Sequence, residues 1–316
     1  MKNRKAIIVG LSSYILKKNE RNYLIKHKPW GVILFSRNIK NINQAKNLVF
    51  QIKKCFNDPN YPILIDEEGG AVSRLKNIID TKNFTAKYFS NLYKVNKKKF
   101  ILYYEIYINS ISSILNNIGI NINTVPVLDV NRKKTSKVLQ NRSYSNNPAI
   151  VSKLGNYCIK IYSKNKIATM IKHIPGHGLA TSDSHKFTPI IKESKKILKK
   201  NDFIVFKNKK VLLAMTAHII YKNFDPINTA THSKIIIKKI IRKEIKFKNI
   251  LISDDISMKS LKYDFKTNIS KAFEAGCNIV LHCNGNLKEM NILASISPKI
   301  DNFILKKTSE LYKFLL

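Results

Sequence analysis

Lys166-Ile167-Ala168-Thr169-Met170-Ile171-Lys172-His173-Ile174-Pro175-Gly176-His177-Gly178 runs from an apolar segment straight into a cluster of side chains able to carry protons. The first part, Ile167 to Ile171, has the length and β-branched content of a buried strand. From Lys172 onward, a lysine and two histidines surround two glycines and a proline, and Asp183-Ser184-His185 follows shortly after. That composition predicts a rigid loop beginning at Lys172. A chemically loaded loop at the C-terminal end of a strand is how parallel-sheet folds present their sites.

Working outward, apolar runs of the same kind recur at Ala6 to Val9, Gly31 to Phe35, Ile63 to Ile65, Ile120 to Val125, Val211 to Met215, Ile250 to Ile252 and Asn278 to Leu281. With the first, they make eight. Between them lie segments of helical periodicity, at Ile42 to Phe56, Phe100 to Asn117, Ala149 to Ser163, Lys234 to Ile245 and Ile269 to Ala275. Strand and helix alternate throughout, which predicts an α/β fold with a parallel sheet. Eight units in 316 residues fit a closed (β/α)8 TIM barrel, of which about 250 residues are typical, better than an open sheet. No Gly-rich phosphate fingerprint follows the first run, and no Pro, Gly or Ser-rich linker divides the chain. The expectation is one domain, residues 1–316.

A barrel demands that polar groups at the strand ends converge on one mouth. Those groups are Ser36, Arg37 and Asn38, then Asp66, Asp129, Lys172 and His173, Thr216 and His218, and Asp254 with Asp255. Asp254 reads either as a reacting carboxylate or as a helix N-cap or first-turn acid before Ile256-Ser257-Met258, a description that fits Asp255, so one of the pair caps a helix while the other reacts. Asp66 opens an acidic run, Asp66-Glu67-Glu68 before Gly69-Gly70, which fits a solvated turn, a hard-cation site or a single sugar-binding carboxylate. Asp183 and His185, two apart, can form a carboxylate–imidazole pair suited to general acid/base work, with His173 and His177 as competitors. A histidine zinc site is the runner-up, but HExxH spacing and cysteine ligands are both missing, so no metal is expected.

The formal charge of +37, from 57 Lys and Arg against 20 Asp and Glu, raises the question of a polyanion partner. Lysine dominates, however, and its short runs (Lys97-Lys98-Lys99, Lys195-Lys196, Lys199-Lys200) are scattered along helical segments as solvated faces would be. A polyanion-binding protein on an inactive barrel is the alternative of a different class; it predicts nucleic-acid binding that weakens steeply with salt. Cys55, Cys158, Cys277 and Cys283 lack metal spacing, and Cys277 and Cys283 flank an apolar run as small buried side chains do. The expectation is a reduced, cytoplasmic chain. Met1 to Lys5 before Ala6 to Leu11 imitates a signal peptide, but Gly10, Ser12 and Ser13 interrupt the apolar part, so a first strand is expected. No window has the length of a membrane span.

Several motifs in order then resemble one family. Lys172 to Gly178 with Asp183-Ser184-His185 is similar to the KH(F/I)PGHG…DSH signature of the bacterial β-N-acetylglucosaminidases of glycoside hydrolase family 3. Ile65 to Arg74 resembles that family's VDQEGGRVQR, and Ile252 to Met258 its SDDLSM. Gly31 to Asn38, Pro126 to Val130, Asn141-Arg142-Ser143 and Ala275-Gly276-Cys277 extend the likeness over nearly the whole chain. Glu67 stands where the family has Gln, Ala71 where it has Arg, and Asn278 where Asp is common.

The resemblance implies a retaining glycosidase without metal or organic cofactor. Asp254 would be the nucleophile, His185 the general acid/base, and Asp183 the group that orients it. Asp66, Arg74, Arg142, Lys172 and His173 would hold the sugar. The implied substrate is a muropeptide, a small carbohydrate in which N-acetylglucosamine is β-linked to anhydro-N-acetylmuramic acid with or without peptide. A monomer with no nucleic-acid or membrane partner is expected. Another β-glycosidase specificity, or phosphorolysis in place of hydrolysis, is the same-class alternative.

Overall fold

A computed structural model describes residues 1–132, 135–181 and 187–316, with the backbone alone at 137 and 138. Among the described residues, eight parallel strands close into a barrel: β1 (Lys5–Gly10), β2 (Pro29–Leu34), β3 (Ile63–Ile65), β4 (Ile122–Asn123), β5 (Ala168–Ile174), β6 (Leu213–Thr216), β7 (Ile250–Asp255) and β8 (Ile279–His282). Each strand pairs with its sequence neighbour, and β8 pairs with β1 through Ile7–Val280, Ile8–Leu281 and Val9–His282. Each of the eight apolar runs overlaps one of these strands.

The side-chain alternation of these strands builds two cores. Ala6, Ile8, Ile33, Leu64, Ile122, Met170, Leu213, Met215, Ile250, Ile252, Ile279 and Leu281 belong to one cluster. Ile7, Val9, Val32, Leu34, Ile63, Ile65, Ala214, Leu251 and Val280 belong to the other, with the apolar faces of the surrounding helices. Residues buried on both faces explain why the strands read as continuous apolar runs. The C-terminal helix Asn302–Leu315 adds Ile304 and Leu311 to the first cluster, and Trp30 Nε1 donates to Thr308 at 2.8 Å, so this helix packs against the barrel interior.

Helices form where caps and apolar stripes coincide. Ile42–Lys54 starts at Asn41, whose side chain accepts from Gln44 N, and buries Ala45, Leu48, Val49 and Ile52. Lys97–Ile118 starts at Asn96 in the same way and ends at Gly119, which has the left-handed φ of 92°. The segment at Lys234 to Ile245 winds as a wider helix over Ile236–Glu244. Helices Lys18–His27, Ala86–Val95, Leu287–Ile296 and Asn302–Leu315 were not expected from periodicity.

Two boundaries correct the sequence reading. Strand β5 continues to Ile174, so Lys172 and His173 stand on a strand and the loop begins at Pro175. The extension is held on both sides, by Leu128 N donating to Lys172 O at 2.7 Å and by Ala217 N donating to Ile174 O at 2.9 Å. Strand β4 is two residues rather than the run Ile120 to Val125, and Val125–Pro126 is a cis peptide immediately beyond it. Among the described residues no helix is long and apolar enough to cross a membrane.

Candidate active site

A cleft at the C-terminal ends of the strands is lined by Asp66, Arg74, Arg142, Lys172, His173 and Asp254, together with Phe35, Thr124, His177, Met215, Asp255, Met258 and Cys283 among others. Six of the eight residues singled out from the sequence therefore share one mouth. Asp183 and His185 lie outside the described residues.

Asp66 follows β3 directly and is the hub. It accepts from Lys172 Nζ, from Thr124 Oγ1 at 2.6 Å and from Arg74 Nη2 at 2.8 Å. Burial opposes its ionisation, but Lys172 and Arg74 outweigh that and hold the carboxyl well below the usual carboxylate range. Lys172, only 2% exposed, also reaches Glu68 Oε1 at 2.6 Å. Glu68 in turn takes a two-pronged bond from Arg142, Nε to Oε2 at 2.7 Å and Nη2 to Oε1 at 2.9 Å. The result is an alternating row, Arg74, Asp66, Lys172, Glu68, Arg142, in which each buried charge touches an opposite one. Arg74 also lies over the Phe35 ring, 5.1 Å from its centre.

The three acids after β3 divide the work. Asp66 faces the cleft, Glu68 joins the two cations, and Glu67 turns away to organise the loop. Its carboxylate accepts from Arg74 N at 2.6 Å, Leu75 N at 3.0 Å and Ser73 Oγ at 3.1 Å. Gly69, with φ of 85°, permits this fold-back, and a β-carbon there would overlap the Phe84 carbonyl oxygen and the Tyr107 hydroxyl.

His173 stands next to Lys172 across a cis peptide and bonds through Nδ1 to Asp129 Oδ2 at 2.7 Å. Asp129 also accepts the backbone N–H of His173 at 3.2 Å and of His177 at 2.6 Å. It is thus an internal brace, not a cleft residue. Gly178 lies so close to Val130 that a β-carbon would overlap the Val130 carbonyl oxygen, and Thr135 Oγ1 donates to Gly178 O at 2.6 Å. The turn after β5 is thereby joined to the segment after β4.

Asp254, near the end of β7, accepts the Asp255 N–H at 2.8 Å. Burial opposes its charge, while that N–H and the Lys172 ammonium favour it, and the balance holds its carboxyl below the ordinary value. An ionised carboxylate at neutral pH is what a nucleophile needs. Asp255 spends its carboxylate on Ser257 N at 3.1 Å, Ser257 Oγ at 2.9 Å and Cys283 N at 3.2 Å, so it fastens a turn, and the helix it was expected to cap does not form.

Other strand-end groups prove structural. Arg37 donates to Leu11 O at 2.8 Å and to Cys283 O, Asn38 donates to Leu11 O at 3.0 Å and Ser13 O at 2.9 Å, and Thr216 is bonded to Thr231. Glu68 and Thr124 were missed as site residues. Thr124 was hidden inside an apolar run, and Glu68 was treated as one of three interchangeable acids. Asn278, where an Asp is common, accepts Leu251 N at 2.9 Å and Arg242 Nη2 at 2.8 Å, so it ties neighbouring elements rather than touching the cleft.

Comparison with known proteins adds three findings. Residues 7–309 match the model of the glycosyl hydrolase family 3 N-terminal domain. A beta-hexosaminidase of Neisseria meningitidis (serogroup C, strain FAM18) is 31% identical over 291 residues, covering 89% of this chain and 78% of that relative, and one from Photobacterium profundum is 28% identical over 98% of this chain and 92% of its own. The crystal structure of NagZ from Neisseria gonorrhoeae in complex with N-trifluoroacetyl-D-glucosamine superposes with a TM-score of 0.86 at 27% identity, covering 99% of this chain and 90% of that one.

Proposed function

Because the chain belongs to glycosyl hydrolase family 3 and is a glycosidase of the β-N-acetylhexosaminidase type, we propose that it removes terminal β-linked N-acetylglucosamine from peptidoglycan fragments with retention of configuration. The observation that carries this reading is the position of Asp254. Its ionised carboxylate lines the same cleft as Asp66, Arg74, Arg142, Lys172 and His173.

In the first step Asp254 attacks the anomeric carbon as the glycosidic C–O bond breaks, and His185 donates a proton to the departing oxygen. A covalent glycosyl-enzyme forms. In the second step His185, now a base, takes a proton from water, the water oxygen bonds to the anomeric carbon and Asp254 leaves as carboxylate. Retaining glycosidases usually give both roles to carboxyl groups. Here an imidazole oriented by Asp183 takes the second, as the Asp-Ser-His motif of the family suggests. Asp66, polarised by two cations, accepts hydrogen bonds from sugar hydroxyls, and Arg74, Arg142, Lys172 and His173 supply donors.

The substrate class follows the same resemblance: N-acetylglucosamine on anhydro-N-acetylmuramic acid, met in the cytoplasm as cell-wall material is recycled by a monomeric, single-domain enzyme. The test is turnover of p-nitrophenyl N-acetyl-β-D-glucosaminide by the wild type and by Asp254→Asn. Near-complete loss is expected in the variant, on the order of 10³-fold or more; normal turnover by Asp254→Asn would sink the assignment. Repeating the assay with phosphate decides the acceptor, since a large phosphate-dependent gain means phosphorolysis.

A further inference from the structure

The backbone that presents Asp254 has one polar group still to be placed. Asp255 gives its N–H to Asp254 Oδ1 and its carboxylate to Ser257 and Cys283. Its carbonyl oxygen faces His218 Nε2 at 3.0 Å. A carbonyl oxygen only accepts, so Nε2 carries a proton. On the other side of the ring, Nδ1 lies 2.7 Å from Thr231 Oγ1, and Thr231 Oγ1 lies 2.7 Å from Thr216 Oγ1. His218, Thr231 and Thr216 are each 0% exposed.

A neutral ring satisfies this buried chain with one consistent set of protons. Thr216 donates to Thr231, Thr231 donates to Nδ1, and Nε2–H donates to the Asp255 carbonyl. A doubly protonated ring would turn the Thr231 hydroxyl towards the Ala217 carbonyl at 3.3 Å, a longer bond, and would add a cation to a dry site. Burial pushes the imidazole below its ordinary pKa, in the same direction, against the pull of Asp254 and Asp255. His218 is not among the residues lining the cleft.

We propose that His218 is a positioning residue for the nucleophile: as a neutral, Nε2-protonated ring it holds the Asp255 carbonyl and so keeps the Asp255 N–H aimed at the Asp254 carboxylate. Asp255 is then fixed from its C-terminal side by His218 and from its N-terminal side by Asp254. Without that bond the Asp255–Ile256 peptide is held only by the Ile256 N–H on Leu281 O at 2.8 Å, and the aim of the Asp255 N–H at Asp254 loosens although the Asp255 carboxylate stays tied to Ser257 and Cys283. Small displacements of a reacting group cost large factors in rate. Because His218 does not touch the cleft, sugar binding is left alone.

The inference rests on Asp254 being the nucleophile, so the experiment begins there. Wild-type enzyme is trapped with a 5-fluoro glycosyl fluoride of N-acetylglucosamine, and the labelled residue is found by peptide mass mapping. A label elsewhere than Asp254 removes the premise and the inference with it. With Asp254 labelled, His218→Phe is expected to lower kcat about ten- to a hundredfold while KM stays within about threefold. His218→Gln, whose amide N–H can reach the place of Nε2, is expected to recover most of that loss. Wild-type kcat in the Phe variant, or a Gln variant as slow as Phe, overturns the proposal. Should the Phe variant not fold, ¹⁵N-histidine spectra of the wild type at the pH of turnover decide: a neutral Nε2–H tautomer at His218 supports it, and an Nδ1–H or doubly protonated ring overturns it.

Discussion

Glu67 accepts the backbone N–H of Arg74 at 2.6 Å, and this bond sets the Arg74 side chain against Asp66. Burial pushes the Glu67 carboxyl up, against the help of the Arg74 and Leu75 N–H groups and Ser73. A neutral amide oxygen accepts the same three bonds without that burial cost. Glu67→Gln is therefore expected to fold as well as the wild type, within about 1 kcal/mol, and to keep its KM. Glu67→Ala orphans two backbone donors and should raise KM for the aryl glycoside at least about tenfold while lowering stability by about 2–4 kcal/mol. Equal KM values in the two variants would show that the loop does not depend on this acceptor.

Lys172 is the only cation touching both Asp66 and Glu68 among the described contacts. Lys172→Met leaves two buried carboxylates short of a partner, a loss on the order of 3–5 kcal/mol. Melting followed by circular dichroism should show Tm lower by roughly 5–15 °C for a chain of this size. An unchanged Tm would mean that Arg74 and Arg142 compensate the two acids without it.

Asp202 is 2% exposed, and burial raises its carboxyl to about 6 despite Arg132 at 3.3 Å. Unfolded, the same group titrates near about 4. The native protein therefore holds a proton that the unfolded chain releases between those values, and stability falls as pH rises through that window. Above pH 6 the penalty is complete; below about 4 it vanishes. Asp202→Asn should raise stability by about 1–3 kcal/mol at pH 7.5 and by almost nothing at pH 4. A gain independent of pH, measured by denaturant unfolding at both values, would refute the assignment.

Arg242 donates to Phe247 O, Asn249 O and Asn278 Oδ1, and burial lowers its pKa, with no carboxylate paired to it among the described residues. Asn278→Asp supplies one, with the acceptor for Leu251 N retained. The variant should melt about 2–6 °C higher than the wild type at pH 7, an advantage that shrinks as the new carboxyl is protonated below about pH 4. A lower Tm at neutral pH would show that the extra charge costs more to bury than Arg242 returns.

How far the sequence carries can be followed residue by residue. Alternating apolar runs predicted all eight strands, because residues buried on both faces leave no ambiguity about what they pack against. Helix Lys18–His27 escaped because it buries only Glu20, Tyr23 and Leu24, too few apolar positions to make a period. Asp66, Lys172, His173 and Asp254 were legible as polar groups at strand ends. Arg74 and Arg142 were legible only through motif resemblance, since neither adjoins a strand and each reaches the cleft by a long side chain. The hardest part was the division of labour in Asp66-Glu67-Glu68 and Asp254-Asp255. Adjacent acids are alike in composition, and only the backbone path at each strand end decides which carboxylate turns to the cleft and which braces a turn.

The row from Arg74 to Arg142 also determines when dehydration happens. Five ionic groups lose most of their water as the chain folds, each against a neighbour of opposite sign, so that a sugar bound as proposed would meet groups already dehydrated and already aimed. Little rearrangement is left for the binding event itself, and an empty cleft should differ from a filled one mainly in what occupies it.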